Sequence, residues 1–452
     1  MDIHPELTEL DRIVLTDLLQ DVGQKSNTES RSSEEVVASG SPAKDASNTV
    51  TDQVDTEDAI TRLKALNTQK NSAFQPTIFT AWDSKDISSA INKHVVQPYS
   101  RFAQGVVRHP TDVVFLTHLL LYSSTILPSA IYLLWPGHFS WTHGILHTVF
   151  TMWCAGPFTL MLHNHIHNNG TMRSSRRRKP YVGLLYSAPF PAGPAIWAWL
   201  DKAFPYVLEP LMGHTWDSYY YHHVKHHHVE GNGPGDLSST IRYQRDDIGH
   251  FLHYVGRFMF LIWLELPLYF IQRKKYNLGV RAFLSEISSY AFMYGMWRWN
   301  PKPATFVFLL PFFLLRIGLM VGNWGQHALV DELEPDSDYR SSITLIDVPS
   351  NRYSFNDGYH TAHHLNPRRH WREHPTHFLQ SKTTYAGNGA LVFTNIDYIM
   401  LTITLLRKDY MYLADRLVPI GNQIGMSKVE IANMLRTKTR AFTEADIKKR
   451  FK

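Results

Sequence analysis

Three short stretches concentrate histidine at spacings that let the rings converge. The first is His163-Asn164-His165-Ile166-His167. The second is His222-His223-Val224-Lys225-His226-His227-His228, and the third is His360-Thr361-Ala362-His363-His364. On an α-helix, positions i, i+3 and i+4 share a face. His163 with His167, the triplet His223/His226/His227 and the triplet His360/His363/His364 can therefore each aim at one point, while His165 points away. Registers that begin at His222 or end at His228 are also allowed. Neutral imidazole is a ligand for iron, copper, zinc and nickel. Eight such rings exceed what one tetrahedral zinc needs, so two metal ions are expected. A further pair, Asn323 and His327, is again four apart. Cys154 is the only cysteine, so no disulfide or multi-thiolate site can form within the chain. Histidine, carboxylate, amide or water must hold any metal.

The elements that position these residues are apolar helices. Residues 113–135 carry no acidic or basic residue apart from His118, and at about 1.5 Å per residue they span a hydrocarbon core of roughly 30 Å. Residues 144–162 form a second such run, and 304–322 a third, interrupted by Arg316. Segments 251–271 and 282–299 are apolar too but carry Arg257, Glu265, Glu286 and Arg298. The fold class expected is an all-α, polytopic membrane bundle of about four spans with a histidine-rich cytosolic cap. Arg173 and the run Arg176-Arg177-Arg178-Lys179 follow the first cluster and place that end in the cytosol under the positive-inside rule. Five prolines between Pro189 and Pro210 argue against a straight span over 181–213, which is expected along the interface or re-entrant. The Asn300-Pro301-Lys302-Pro303 turn suggests a hairpin of 282–299 with 304–322, leaving 251–271 in the interface. The alternative pairs 251–271 with 304–322.

The formal net charge of +5 conceals two regions. Residues 1–60 hold 14 Asp/Glu against 4 Lys/Arg, a net of −10, and the remainder nets +15. The acidic segment is Ser/Thr-rich and lacks aromatic residues, so 1–75 is expected as a disordered tail. Met1-Asp2-Ile3-His4 does not open a secretory signal, and the first span is expected to act as the targeting signal. Residues 76–410 would form the membrane domain and its cap, and 411–452 a basic cytosolic helix or tail. The basic charge fits anionic lipid and topology rather than nucleic acid. The last residues, Lys449-Arg450-Phe451-Lys452, resemble a dilysine-type retrieval signal of the endoplasmic reticulum.

The ordered set H-x3-H, H-x2-H-H, N-x3-H, H-x2-H-H, placed after and between hydrophobic hairpins, resembles the membrane-bound fatty acid desaturase/hydroxylase superfamily over about residues 110–410. The resemblance implies a four-helix membrane fold, a non-haem diiron centre, and O2-dependent oxidation of an unactivated C–H bond in a lipid. Its iron ligands would be His163, His167, His223, His226, His227, His327, His360, His363 and His364. Asn323 matches a position that holds a metal-bound water. Cytochrome b5 with its reductase, or ferredoxin, would supply electrons. The b5 signature H-P-G-G is absent from this chain, so the donor would be a separate protein. The chain departs from the pattern in its extra His165, His222 and His228 and in the segment Glu230 to Thr240.

Carboxylates commonly hold the far nitrogen of a metal-bound imidazole. Asp217, Glu230, Asp236, Asp331, Asp357 and Glu373 lie near enough in sequence, and His165, His222 and His228 join them as outer-sphere candidates. The segment between Trp297 and Trp324, with the aromatic-rich 251–271, could line an acyl channel. The Arg176–Lys179 run and Arg368-Arg369 could bind a phosphate of CoA, carrier protein or phospholipid. The leading reaction is fatty acyl desaturation of a membrane lipid or acyl thioester. A hydroxylase or acetylenase would use the same centre. A histidine-rich metal transporter is the alternative of another class, disfavoured because its ligands would sit within spans rather than at their ends.

Overall fold

The computed structural model describes residues 3–35, 56–83, 86–172 and 195–451. Arg173, the Arg176–Lys179 run and the prolines at 189, 191 and 194 lie outside them. The chain is mostly helical. Two amino-terminal helices, α1 (Glu9–Glu35) and α2 (Thr56–Asn67), precede the apolar helices α3 (Val113–Leu134) and α4 (Trp141–Asn168). After α5 (Ala195–Leu211) comes α6 (Tyr220–His227), which is π-helical, then α7 (Ile248–Gln272), α8 (Tyr276–Trp299) and α9 (Pro301–His327). The short α10 (His360–Leu365) carries the third histidine cluster.

Among the described residues four helices, α3, α4, α7 and α9, are long and apolar enough to cross a membrane. Their outward faces are apolar as well: Trp153 on α4 is 78% exposed and Phe260 on α7 is 68% exposed, as expected of surfaces matched to lipid rather than water. The inward face of α3 and α4 interleaves Leu119, Tyr122, Cys154, Phe158 and Leu162. Ser140 caps α4 by accepting from His143 N–H, and Asn169, in the left-handed region at φ 54°, ends it. About 34 to 40 Å of helix therefore separates the Ser140 end from His163 and His167 in its last turns.

Contacts sort the helices further than hydropathy does. At the end remote from the histidines, Asn300 Nδ2 donates to Leu134 O and Phe306 packs on Phe139 and Trp141. The turn between α8 and α9 thus sits beside the turn between α3 and α4. Helix α7 instead stays beside the histidine layer at both ends. Near its start Tyr254 OH donates to Ser238 O; near its end Tyr269 packs edge-on against His226 and Arg273 pairs with Glu230 at 2.7 Å. It is α8, despite its charges, that connects the two ends beside α9. Its Glu286 is neutralised by Arg316 of α9 at 2.6 Å, both buried, and Thr215 Oγ1 donates to the same carboxylate. Paired in this way, two charges can occupy a helix bundle that neither could enter alone.

Two features depart from the sequence expectations. The fold is not purely helical: β1 (Ile343–Ile346) pairs in parallel with β2 (Leu391–Thr394), Ile343 opposite Leu391, with every residue of both buried. And where composition predicts a flexible tail over 1–75, α1 and α2 pack on the cap, burying Leu7, Val14, Leu15, Leu18 and Leu63. Averaging over a long acidic stretch hides these apolar positions, which recur three, four and seven residues apart along one helix face.

Candidate metal centre

The last turns of α4 present His163 and His167, α6 and the residue after it present His223, His227 and His228, the last residue of α9 is His327, and α10 presents His360, His363 and His364. They converge as two adjoining groups. In the first, the ring nitrogens of His163, His167, His223, His228 and His363 all lie within 4.8 Å of one another; in the second, those of His227, His327 and His364 do so. His360 joins the second group with its Nε2 at 3.1 Å from His327 Nε2. Adjacent residues serve both groups, His227 and His364 in one and His228 and His363 in the other.

The π-helical turn decides which rings of the second cluster enter. The N–H of His228 bonds to the carbonyl of His223, five residues back, so residues five apart stack over one another. His223 and His228 Nε2 consequently face at 3.1 Å. His226 turns away, its Nε2 accepting from Leu237 N–H at 3.2 Å and its ring grouped with His222 and Asp236. Spacing counted on an α-helix groups His226 with His223 and His227 and leaves registers that reach His222 or His228 open; here His228 lies with His223, and His226 with His222 and Asp236.

The donor chemistry of these groups suits cations. His363 Nε2 lies 3.1 Å from His163 Nε2 and 2.9 Å from His228 Nε2. A neutral Nε2 carries either one proton or one lone pair, so a ring that faces two others cannot satisfy both. The buried Nε2 atoms of His167 and His364 have no hydrogen-bond partner among the described residues. Burial, reinforced by neighbouring rings, holds His223, His228, His360 and His363 well below the usual imidazole range. They are therefore neutral lone-pair donors at physiological pH.

Outer contacts orient several rings. Asp236 Oδ2 accepts from His227 Nδ1 at 2.7 Å. Burial by itself would raise the Asp236 carboxyl, but facing His227 and His226 holds it far below the ordinary carboxylate range. His364 Nδ1 lies 3.5 Å from Asp338, a partner that neither spacing nor motif singles out. His165 does point away, toward Asp201 at 3.4 Å. Glu230 acts one ring further out through Tyr269. Asp357 accepts from Gln326 at 3.0 Å, and burial raises its carboxyl to about 7. It lines a small cavity with His163, His167, His363, Arg369 and His374. The buried His374, whose ring centre is 6.2 Å from that of His363, is missed by sequence reasoning although it stands four residues after His370 and three before His377, the spacing of the other clusters.

Other expected residues lie elsewhere. Asp217 sits at φ 55°, contacting Tyr206 and Glu209, and Asp331 pairs with Lys438 at 2.8 Å. The Asn323 amide nitrogen donates to Tyr254 OH at 2.6 Å and to Ser238 O at 3.0 Å, tying α9 to α7. Trp324 is fully buried against Tyr243 and Tyr254, a core residue rather than a channel wall. Arg369 caps α10 by donating to Ala362 O at 2.8 Å.

Buried neutral histidines give the metal-free protein a defined acid sensitivity. Burial is the largest influence holding His109, His214 and His222 down to about 3, and His377 down to about 4. In the unfolded chain each takes up its proton near pH 6.5. Their contribution is complete above that value and is lost progressively as pH falls toward the folded values. Chelator-treated protein should therefore show a thermal midpoint that declines steadily from pH 7 to 5. A midpoint unchanged over that range would contradict neutral burial.

Buried histidine clusters able to hold metal thus stand at the ends of long apolar helices. The family model for Fatty acid desaturase matches residues 139–395, more than half of the chain, and the protein belongs to that family of enzymes. No curated protein and no solved structure matches the chain.

Proposed function

We propose that the protein is an O2-dependent, diiron fatty acyl desaturase. The observation that carries this reading is the convergence of nine imidazoles as two adjoining sets with no other partner for their facing nitrogens. One iron would be held from among His163, His167, His223, His228 and His363, the other by His227, His327, His360 and His364. When bound, the iron pair supplies the O2 activation and C–H oxidation that amino acid side chains cannot perform. The protein's own part is to fix the tautomers. Asp236 accepts a hydrogen bond from the Nδ1–H of His227, which leaves the Nε2 lone pair inward. The all-nitrogen donor set leaves the ions more positive than a carboxylate-rich site would.

Contacts at both ends of α7 favour its lying along the interface, with α3, α4, α8 and α9 as the spans. The histidine end would then face the cytosol with both termini, in the endoplasmic reticulum. Cytochrome b5 or ferredoxin would deliver electrons, and the substrate would be an acyl chain on a membrane lipid or thioester.

Heterologous expression with lipid profiling tests the reaction. The expected result is a new unsaturated acyl product that requires O2 and is lost in a His363→Ala control. A hydroxylated or acetylenic product would reassign the outcome at the same centre. About one zinc per chain and no O2-dependent product would remove the oxygenase reading.

A further inference from the structure

The amino-terminal segment lies outside the family-matched residues, yet it reaches the third histidine cluster. Its buried Leu7, Val14, Leu15 and Leu18 share one apolar core with Tyr359 and Ala362. At the centre of that contact is Asp11, fully buried. Its Oδ1 accepts from Tyr359 OH and from Asn351 Nδ2, each at 2.9 Å, and its Oδ2 accepts from Thr8 Oγ1 at 2.6 Å.

Both partners of Oδ1 shape the turn that launches α10. Asn351 also donates to Leu345 O at 3.1 Å and accepts from Gly358 N–H at 3.1 Å. Gly358 allows no substitute there, since a Cβ would fall 2.3 Å from Asn351 Oδ1 and 2.4 Å from Leu345 O. Tyr359 precedes His360, and its carbonyl accepts from His363 N–H at 3.0 Å. Phe355 and Asn356 just upstream hold left-handed backbone at φ 54° and 57°, a conformation that non-glycine residues keep only when their surroundings enforce it. One carboxylate thus ties helix α1 to both sides of a strained loop whose next residues are His360, His363 and His364.

We infer that Asp11 is a positioning residue of the metal centre, through which the amino-terminal segment holds the third histidine cluster in its ligating geometry. The inference rests on the metal reading of those histidines. It concerns geometry rather than anchorage alone, because the segment has other fastenings: Asp17 pairs with Lys382 at 2.7 Å and Arg352 Nε donates to Glu6 O at 2.8 Å. Loss of the Asp11 bonds should loosen the turn without releasing the helix.

The test uses the full-length protein, iron-loaded and purified in detergent. Asp11→Leu, Asp11→Asn, Tyr359→Phe and the Asp11→Leu/Tyr359→Phe pair are compared for the rate of iron loss to a chelator and for the thermal midpoint of the metal-free state. Asp11→Leu should lose iron about tenfold faster, the lower end of what outer-sphere partners of metal ligands contribute. Asp11→Asn should behave nearly as wild type, since its Oδ1 still accepts and its Nδ2 can donate to Thr8 Oγ1. The double variant should be no worse than Asp11→Leu, because both changes remove one shared bond. A lowered midpoint with wild-type iron retention in Asp11→Leu would overturn the inference. If Asp11→Leu does not fold, Tyr359→Phe decides, and its unaltered iron retention would overturn the inference equally. His363→Ala serves as the reference. If that variant loses iron while Asp11→Leu does not, the role of Asp11 fails alone; if neither does, the metal reading fails with it.

Discussion

His363→Ala is expected to lower O2-dependent lipid oxidation at least about 100-fold, to the detection limit, and to release iron, while the protein still inserts and folds. The His363 ring faces both His163 and His228 through one nitrogen, so its removal opens the first group from two sides. Outer-sphere changes alone cost metal sites about 10–100-fold, and loss of an inner ligand should exceed that. The fold should survive because α10 is short and is held by Tyr359, Arg369 and the core beneath it. Iron analysis and product profiling on one membrane preparation check the result. Retained turnover with a full iron complement would exclude His363 from the ligand set.

The second large effect discriminates between neighbours. His228→Ala should abolish activity and reduce iron as His363→Ala does, whereas His226→Ala should keep its iron and a measurable share of turnover. His226 spends its Nε2 on Leu237 N–H and lies against Tyr269, so its loss perturbs the 230–240 loop rather than the ring nitrogens of either group. Some activity should be lost indirectly, since Asp236 in that loop orients His227. Iron content separates the two causes. If His226→Ala lost iron and His228→Ala did not, the inward register would return to H-x2-H-H.

This pair shows where reading by spacing stops. Residue types place histidine at five of the seven positions from 222 to 228, but only the hydrogen-bonding period of α6 selects among them. An i to i+5 turn cannot be told from an i to i+4 turn by counting. The span question draws on turn chemistry as well as hydropathy, since Asn300-Pro301-Lys302-Pro303 already suggests the hairpin of 282–299 with 304–322. Hydropathy alone selects α7 rather than α8, although both carry charges, Arg257 and Glu265 on α7 and, among others on α8, Glu286. Across the bundle Arg316 neutralises it, and that partner lies 30 residues away. Asp236 is accessible as a nearby acid and Asp338 is not, because nothing local sets it apart from surface residues; His374 does carry a local signal, standing four residues from His370 and three from His377.

Sequence by itself determined the family. A single cysteine, four histidine-bearing stretches and apolar runs long enough to cross a bilayer point to histidine clusters able to hold metal at helix ends. These properties are local, written in residue type and in separations of a few positions. Tertiary structure decided which rings face inward, which acids hold them, and that the amino-terminal segment contributes to the cap. Those outcomes depend on helix period and on contacts between residues as far apart as Asp11 and Tyr359. Packing sets them, and no local pattern encodes packing.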